Sequence, residues 1–215
     1  MAGLVEKDIR LLLQRKQIMV AFLALALMLG FTQEGTFILG YLPILILLLT
    51  IGTISYDELD QGFTFLFTLP VNAREYVTEK YLFCGIAGIL SWIASIGIYR
   101  AAAAIHGEQV DLQAELPMLL SFLAVDVIMM AVMIPIQIKF GANGSRMILM
   151  VIFGAALMIV FLLKQWIGKE TVTKIQHMLQ SVSDTCFIAV VTLGVVAAVI
   201  LSYVCSFRAL KTKKL

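Results

Sequence analysis

Phe37-Ile-Leu-Gly-Tyr-Leu-Pro-Ile-Leu-Ile-Leu-Leu-Leu-Thr-Ile-Gly-Thr-Ile-Ser55 runs for nineteen residues without a charge. The hydrocarbon core of a bilayer takes about 20 apolar residues of α-helix, with roughly 17–25 tolerated, so this stretch reads as a membrane crossing. Five more stretches read the same way, at about Ile18–Phe31, Tyr81–Ala104, Pro117–Ile138, Met147–Leu163 and Thr185–Phe207. The first of these is short unless it borrows from Leu11–Gln17. The chain is 215 residues long, 61% hydrophobic and 14% charged, against roughly 25% charged in soluble proteins. A soluble domain of this size leaves about 30% of its surface wet and could not hide so much apolar area. Soluble enzymes and nucleic-acid modules are thereby excluded, and the expectation is an all-α integral membrane protein with six transmembrane helices in a single domain, residues 1–215.

Six crossings put both termini on one side, and basic residues say which. Lys7, Arg10, Arg15, Lys16, Arg74, Lys80, Lys139, Arg146, Arg208, Lys211, Lys213 and Lys214 lie on the side of the termini, against Arg100, Lys164, Lys169 and Lys174 opposite. Both termini are therefore expected in the cytoplasm. With a net charge of only +2, no polycationic face for nucleic acid is present.

The segments between crossings differ in character. Within residues 1–17, Val5, Ile9, Leu12 and Leu13 recur at helical spacing while Glu6, Arg10, Gln14 and Gln17 take another face. That pattern describes an amphipathic helix on the inner membrane surface, able to meet anionic lipid headgroups. The loop 56–79 opens on Asp57, Glu58 and Asp60, continues through Phe63, Phe65, Leu66, Phe67 and Leu69, and breaks at Pro70. Asn72 stands three residues before Glu75, a capping box that starts a new helix. So apolar a patch marks a contact with a membrane surface or with a protein, and the residues alone do not choose between them. Lys139–Arg146 is a short loop turned by Gly141 and Gly144. Residues 164–184 carry Val172, Ile175, Met178, Leu179 and Val182 at helical period, an external amphipathic segment.

Catalytic chemistry is scarce. The sequence holds no GxxxxGK[ST] loop for nucleotide phosphates and no HExxH zinc motif. His106 and His177 both fall outside the crossings, so neither a buried metal site nor a Ser–His dyad with Ser91 or Ser121 is expected. Cys84, Cys186 and Cys205 lie in or beside apolar runs, where cysteine acts as a small hydrophobe. Asp126 alone puts an ionisable group near the middle of a crossing. Such residues cost about 2.5–3.5 kcal/mol on insertion scales and are kept where they face a pathway or join helices.

Tyr56-Asp57-Glu58, then Leu69-Pro-Val-Asn-Ala-Arg-Glu-Tyr-Val77 and Lys80-Tyr81, resemble the signature of ABC-2-type transporter permeases. Ile134-Pro-Ile-Gln-Ile-Lys-Phe-Gly141 with Arg146 resembles that family's second cytoplasmic loop, and Val5–Leu13 its N-terminal elbow helix. The chain is most similar in kind to the small six-span bacterial subgroup that includes phenol-soluble modulin exporter permeases. Phenylalanines stand where that family often has a tryptophan before Leu-Pro, and Asn72-Ala73 where it often has Ser-Arg. The resemblance implies an elbow helix at 1–17 and a coupling helix within 56–79. It also implies a place in the bacterial cytoplasmic membrane beside a second permease, identical or homologous, with two copies of an ATPase that bind ATP and Mg. This chain would itself bind no cofactor. Asp57, Glu58, Phe63, Phe65, Phe67, Leu69, Arg74 and Glu75 become the expected ATPase contact. The implied cargo is an amphipathic peptide; lipids or hydrophobic drugs are the other cargoes weighed, and a non-transporting scaffold or immunity protein the other role.

The topology is testable by labelling intact cells with a membrane-impermeant thiol reagent. A cysteine placed at Glu108 or Glu170 should react and one placed at Thr212 should not; reaction at Thr212 would overturn the arrangement.

Overall fold

A computed structural model describes residues 2–14, 16–32, 36–58, 72–107, 112–166 and 184–213. Six helical elements occupy them: α1 (Ala2–Gln14), α2 (Lys16–Thr32), α3 (Phe37–Glu58), α4 (Ala73–His106), α5 (Leu112–Trp166) and α6 (Asp184–Lys213). No strand occurs among the described residues.

The local signals behave as their chemistry dictates. Asn72 is extended at φ −83° and ψ 147°, and its backbone N–H donates to Glu75 Oε2 at 3.2 Å, so Glu75 closes the start of α4. At the other end Gly107 takes the left-handed conformation, φ 76°, and its N–H turns back to the carbonyls of Ala103 and Ala104. Only glycine adopts that geometry without strain.

Four helical stretches among the described residues are long and apolar enough to cross a membrane: Phe37–Asp57, Ala73–His106, Ala114–Gly141 and Val191–Thr212. A fifth arises if Gly3–Gln14 and Lys16–Met28, which meet at 67°, count as one bent crossing. The six expected crossings all coincide with helix, four of them on these stretches; α2 enters only as half of the bent pair, and Met147–Leu163 lies in a helix whose side chains are not all described. α2 has 17 residues, a rise of about 26 Å against a core of about 30 Å. The expected fifth crossing, Met147–Leu163, is the continuation of α5. The loop expected at 139–146 is helical on both sides of a single break at Gly141, φ 70° and ψ −172°. Those angles are essentially reserved for glycine. Three residues on, a Cβ at Gly144 would stand 3.1 Å from Phe140 Cβ, so two glycines achieve the turn without a longer loop.

α3 is the central helix, packed on α1, α2, α4 and α5. Its Leu47, Ile51 and Ile54 join Met130, Met133, Ile134 and Ile138 of α5 in one buried cluster that also takes in Leu4, Tyr76, Val77, Cys84 and Leu210. A smaller cluster of Ala26, Ile38 and Leu42 holds α2. Leu82, Ile86, Ile89, Leu90 and Ile93 of α4 point outward instead, as lipid-facing residues must.

Polar side chains then fix which apolar helices meet. Tyr81 on α4 hydrogen-bonds Ser202 and Ser206 of α6, the latter at 2.9 Å, and Ser202 donates to the Ala131 carbonyl of α5. Trp92 Nε1 donates to the Leu119 carbonyl at 3.0 Å, and Gln137 reaches Ser55. Tyr81→Phe should remove about 1 kcal/mol and lower the melting temperature in detergent by roughly 2–4 °C, whereas Leu90→Ala on the outward face should leave it unchanged. Equal losses in the two variants would contradict this assignment of inner and outer faces.

Candidate functional site

Every helix end needs a reason to sit where it does, and at one end of this bundle the reason is ionic. α4 rises about 51 Å over its 34 residues, more than a hydrocarbon core of about 30 Å can take. Its first two turns carry Arg74, Glu75, Glu79 and Lys80 and project beyond the apolar part. Tyr76 and Lys80 share one face there, one turn apart. On α3, Thr53 and Asp57 form a second such pair. The adjacent Lys7 and Asp8 of α1 complete the set.

Lys80 is the hub. Its ammonium is fully buried and pairs with Asp8, also fully buried, and with Asp57 Oδ2 at 3.0 Å. It donates as well to Thr53 Oγ1 at 3.2 Å and lies 5.4 Å from the centre of the Tyr76 ring. Tyr76 donates its hydroxyl to Asp57 Oδ2 at 2.9 Å. Lys7, one-third exposed, pairs with the other oxygen of Asp57 and lies 3.4 Å from Asp8 Oδ1. Thr53 Oγ1 is 2.8 Å from the Thr50 carbonyl and 3.2 Å from Asp8 Oδ2. Glu79 is nearly fully buried, 3.9 Å from Lys80, and neither of its carboxylate oxygens has a hydrogen bond. Three carboxyl groups thus gather around one fully buried ammonium, with a second, that of Lys7, at the solvent edge.

Such a cluster is stiff. A buried ion pair repays its desolvation only with good geometry and further hydrogen bonds, so the helices carrying it are held to a narrow set of positions. Asp57 lies just before segment 59–71 and Tyr76 and Lys80 just after it. The helices on either side of that segment are consequently fastened to each other and to α1.

The expected contact residues divide. Asp57 belongs to the buried cluster, where its carboxylate is shared by Lys7, Lys80 and Tyr76 instead of facing outward. Arg74 is exposed, its guanidinium 5.4 Å from the centre of the Phe207 ring. Glu75 is half-buried at the cap of α4. With Asn72, Ala73 and Lys211, these three residues line an open cleft between the start of α4 and the end of α6. Phe63, Phe65, Phe67 and Leu69, and the side chain of Glu58, lie outside the described residues. Asp126 sits apart from this end, buried on α5 beside Gly88 of α4.

The sequence reading missed Asp8, Lys80, Thr53, Tyr76 and Glu79 as a unit. Ile9 and Leu13, expected on the apolar face of α1, are exposed, which leaves that face free, while a second face turns Leu4 and Asp8 inward. The ammonium of Lys80 draws Asp8 in, and hydropathy periodicity carries no trace of such a pairing. Among the described residues no group of three His, Cys, Asp or Glu is placed to hold a metal ion.

Removing one partner of a buried pair leaves a stranded charge. Lys80→Met should therefore cost roughly 3–5 kcal/mol, and Lys80→Met with Asp8→Asn should cost less than the sum of the two single changes by about 1 kcal/mol or more. Chemical unfolding in detergent reads both, and strict additivity would mean the two residues do not interact.

No curated protein and no solved structure matches this chain. A family model does, and it is described as ABC-2 family transporter protein and matches residues 3–211. With nearly the whole length accounted for, the chain belongs to the ABC-2 transporter family.

Proposed function

We propose that this chain is the permease of an ATP-driven exporter of amphipathic peptides, and that segment 59–71 is where the motor pushes on it. Family membership carries the coarser part: the chain is a multi-pass membrane protein and a permease subunit of an ABC transporter, which implies an ABC ATPase as partner. The finer part covers two ATPase copies binding ATP and Mg, a second permease, the bacterial cytoplasmic membrane and the peptide cargo. It rests on the resemblance of the Leu69–Val77 stretch and on the six crossings expected from the sequence.

One observation supports the coupling role above the others. Asp57, which precedes segment 59–71, and Tyr76 and Lys80, which follow it, belong to a single buried ionic cluster that joins α1, α3 and α4. A push on a segment mounted this way displaces three helix ends together, whereas the same push on a segment with free ends would be absorbed locally. Phe63, Phe65, Phe67 and Leu69 supply apolar area, each worth roughly 1.5–3 kcal/mol if fully buried against a partner. Arg74 and Glu75 stand where a polar rim would fix register. The chain's own part in the cycle is to receive displacement and pass it to the spans; bond-breaking belongs to the ATPase.

Purification in mild detergent tests both levels. The wild-type chain should bring down an ATPase in fixed stoichiometry, and Phe65→Ser with Phe67→Ser should insert normally yet lose the ATPase or its stimulation by cargo. If the wild type brings down no ATPase, the chain acts as a scaffold or immunity protein. If the double variant keeps full stimulation, segment 59–71 rests on lipid and the coupling role is withdrawn.

A further inference from the structure

Asp126 is 4% exposed, and its Oδ1 has no hydrogen-bond partner. Opposite it, α4 presents Cys84, Gly88, Ser91 and Ser95, all buried, at the i, i+4, i+7 and i+11 positions of one face. Small residues on a membrane helix let a neighbour approach closely. The approach here is extreme: a Cβ at residue 88 would stand 2.7 Å from Asp126 Oδ2 and 3.9 Å from its Cγ. One carboxyl oxygen therefore points almost straight at the backbone of α4, where Cα–H groups are weak donors. Ser91 Oγ spends its proton on the Gly88 carbonyl at 2.8 Å, so it does not compete for that position.

This contact is the middle one of a series. Further along the same pair of helices, Trp92 of α4 donates to the Leu119 carbonyl of α5. In the other direction, Tyr81 and Ser202 tie α4 through α6 to the Ala131 carbonyl of α5. Between membrane helices, where lipid competes equally for apolar side chains, a few such contacts decide which faces stay together. Resting on the permease reading above, we propose that Asp126 is a positioning residue: its carboxyl clasps α5 to α4 at Gly88 and keeps that seam shut throughout transport. The route for cargo then lies elsewhere on the permease.

A reversible covalent clasp tests this. Gly88→Cys and Asp126→Cys are combined in a chain whose Cys84, Cys186 and Cys205 are replaced by alanine, and the chain is co-expressed with its ATPase and reconstituted. The readouts are ATP hydrolysis and uptake of a fluorescent amphipathic helical peptide into inside-out vesicles. The oxidised pair should work at close to the rate of its parent, and reduction should lower both activities by about fivefold, the weight of one modest buried contact. Arrest on oxidation with recovery on reduction would show that α4 and α5 must part, and would overturn the proposal. So would equal activity of the two forms. If the cysteine pair fails to insert, Asp126→Asn should keep activity, because an amide fills the same space, while Asp126→Ala should lose it. An asparagine variant as poor as the alanine one, or an alanine variant as good as wild type, would overturn the proposal as well. Should the parent move no peptide, the cargo assignment fails by itself, and ATP hydrolysis still decides the clasp.

Discussion

Lys80 is an ammonium with no access to water, held between the carboxylates of Asp8 and Asp57. Removing such charges from water costs several kcal/mol per ion, even after relaxation. The arrangement persists only because Thr53, Tyr76 and Lys7 complete the hydrogen bonding around it. Because the partners come from three helices, none of these can shift without stranding another's charge. The positions of α1, the end of α3 and the start of α4 are thereby fixed as a set. The chain that leaves α3 at Asp57 returns into α4 within the same cluster.

Above that junction the helices are apolar, and apolarity cannot tell them how to pair. Lipid tails solvate Leu and Ile as well as another helix does. Pairing is instead decided by close approach and by isolated polar contacts. Gly40 of α3 meets Phe122 of α5, with only 3.0 Å between a Cβ there and the ring, and Gly88 meets Asp126 in the same manner on α4. Tyr81, Trp92 and Gln137 add directional bonds. The ionic cluster and these seams divide the labour: the first makes one end of the bundle rigid, and the second keeps that rigidity from dissipating among interchangeable apolar faces.

Fold class was legible from hydropathy, because nineteen uncharged residues at Phe37–Ser55 admit no soluble alternative. Asn72 with Glu75, and the turn at Gly141, were legible because caps and positive φ depend on one residue and its near neighbours. The ionic cluster was not. Residues 8, 57 and 80 carry no mutual signal in a single sequence, and an Asp within the first turns of an amphipathic helix reads as solvated. Nor can a hydropathy scale foresee that a second face of α1 buries the Asp8 carboxylate. Asp57 stands out in the sequence as part of an expected contact surface, whereas its carboxylate is shared inside the cluster by Lys7, Lys80 and Tyr76.

If force enters at segment 59–71 and is delivered through the cluster, a photoreactive phenylalanine analogue at residue 65 must touch the ATPase in the assembled transporter. One at residue 105, on the exposed end of α4, must not. Irradiation of native membranes followed by mass spectrometry of the adducts reads this directly. Adducts to the ATPase from residue 65, and only to lipid from residue 105, are the expected result; adducts solely to lipid from residue 65 would contradict the coupling account.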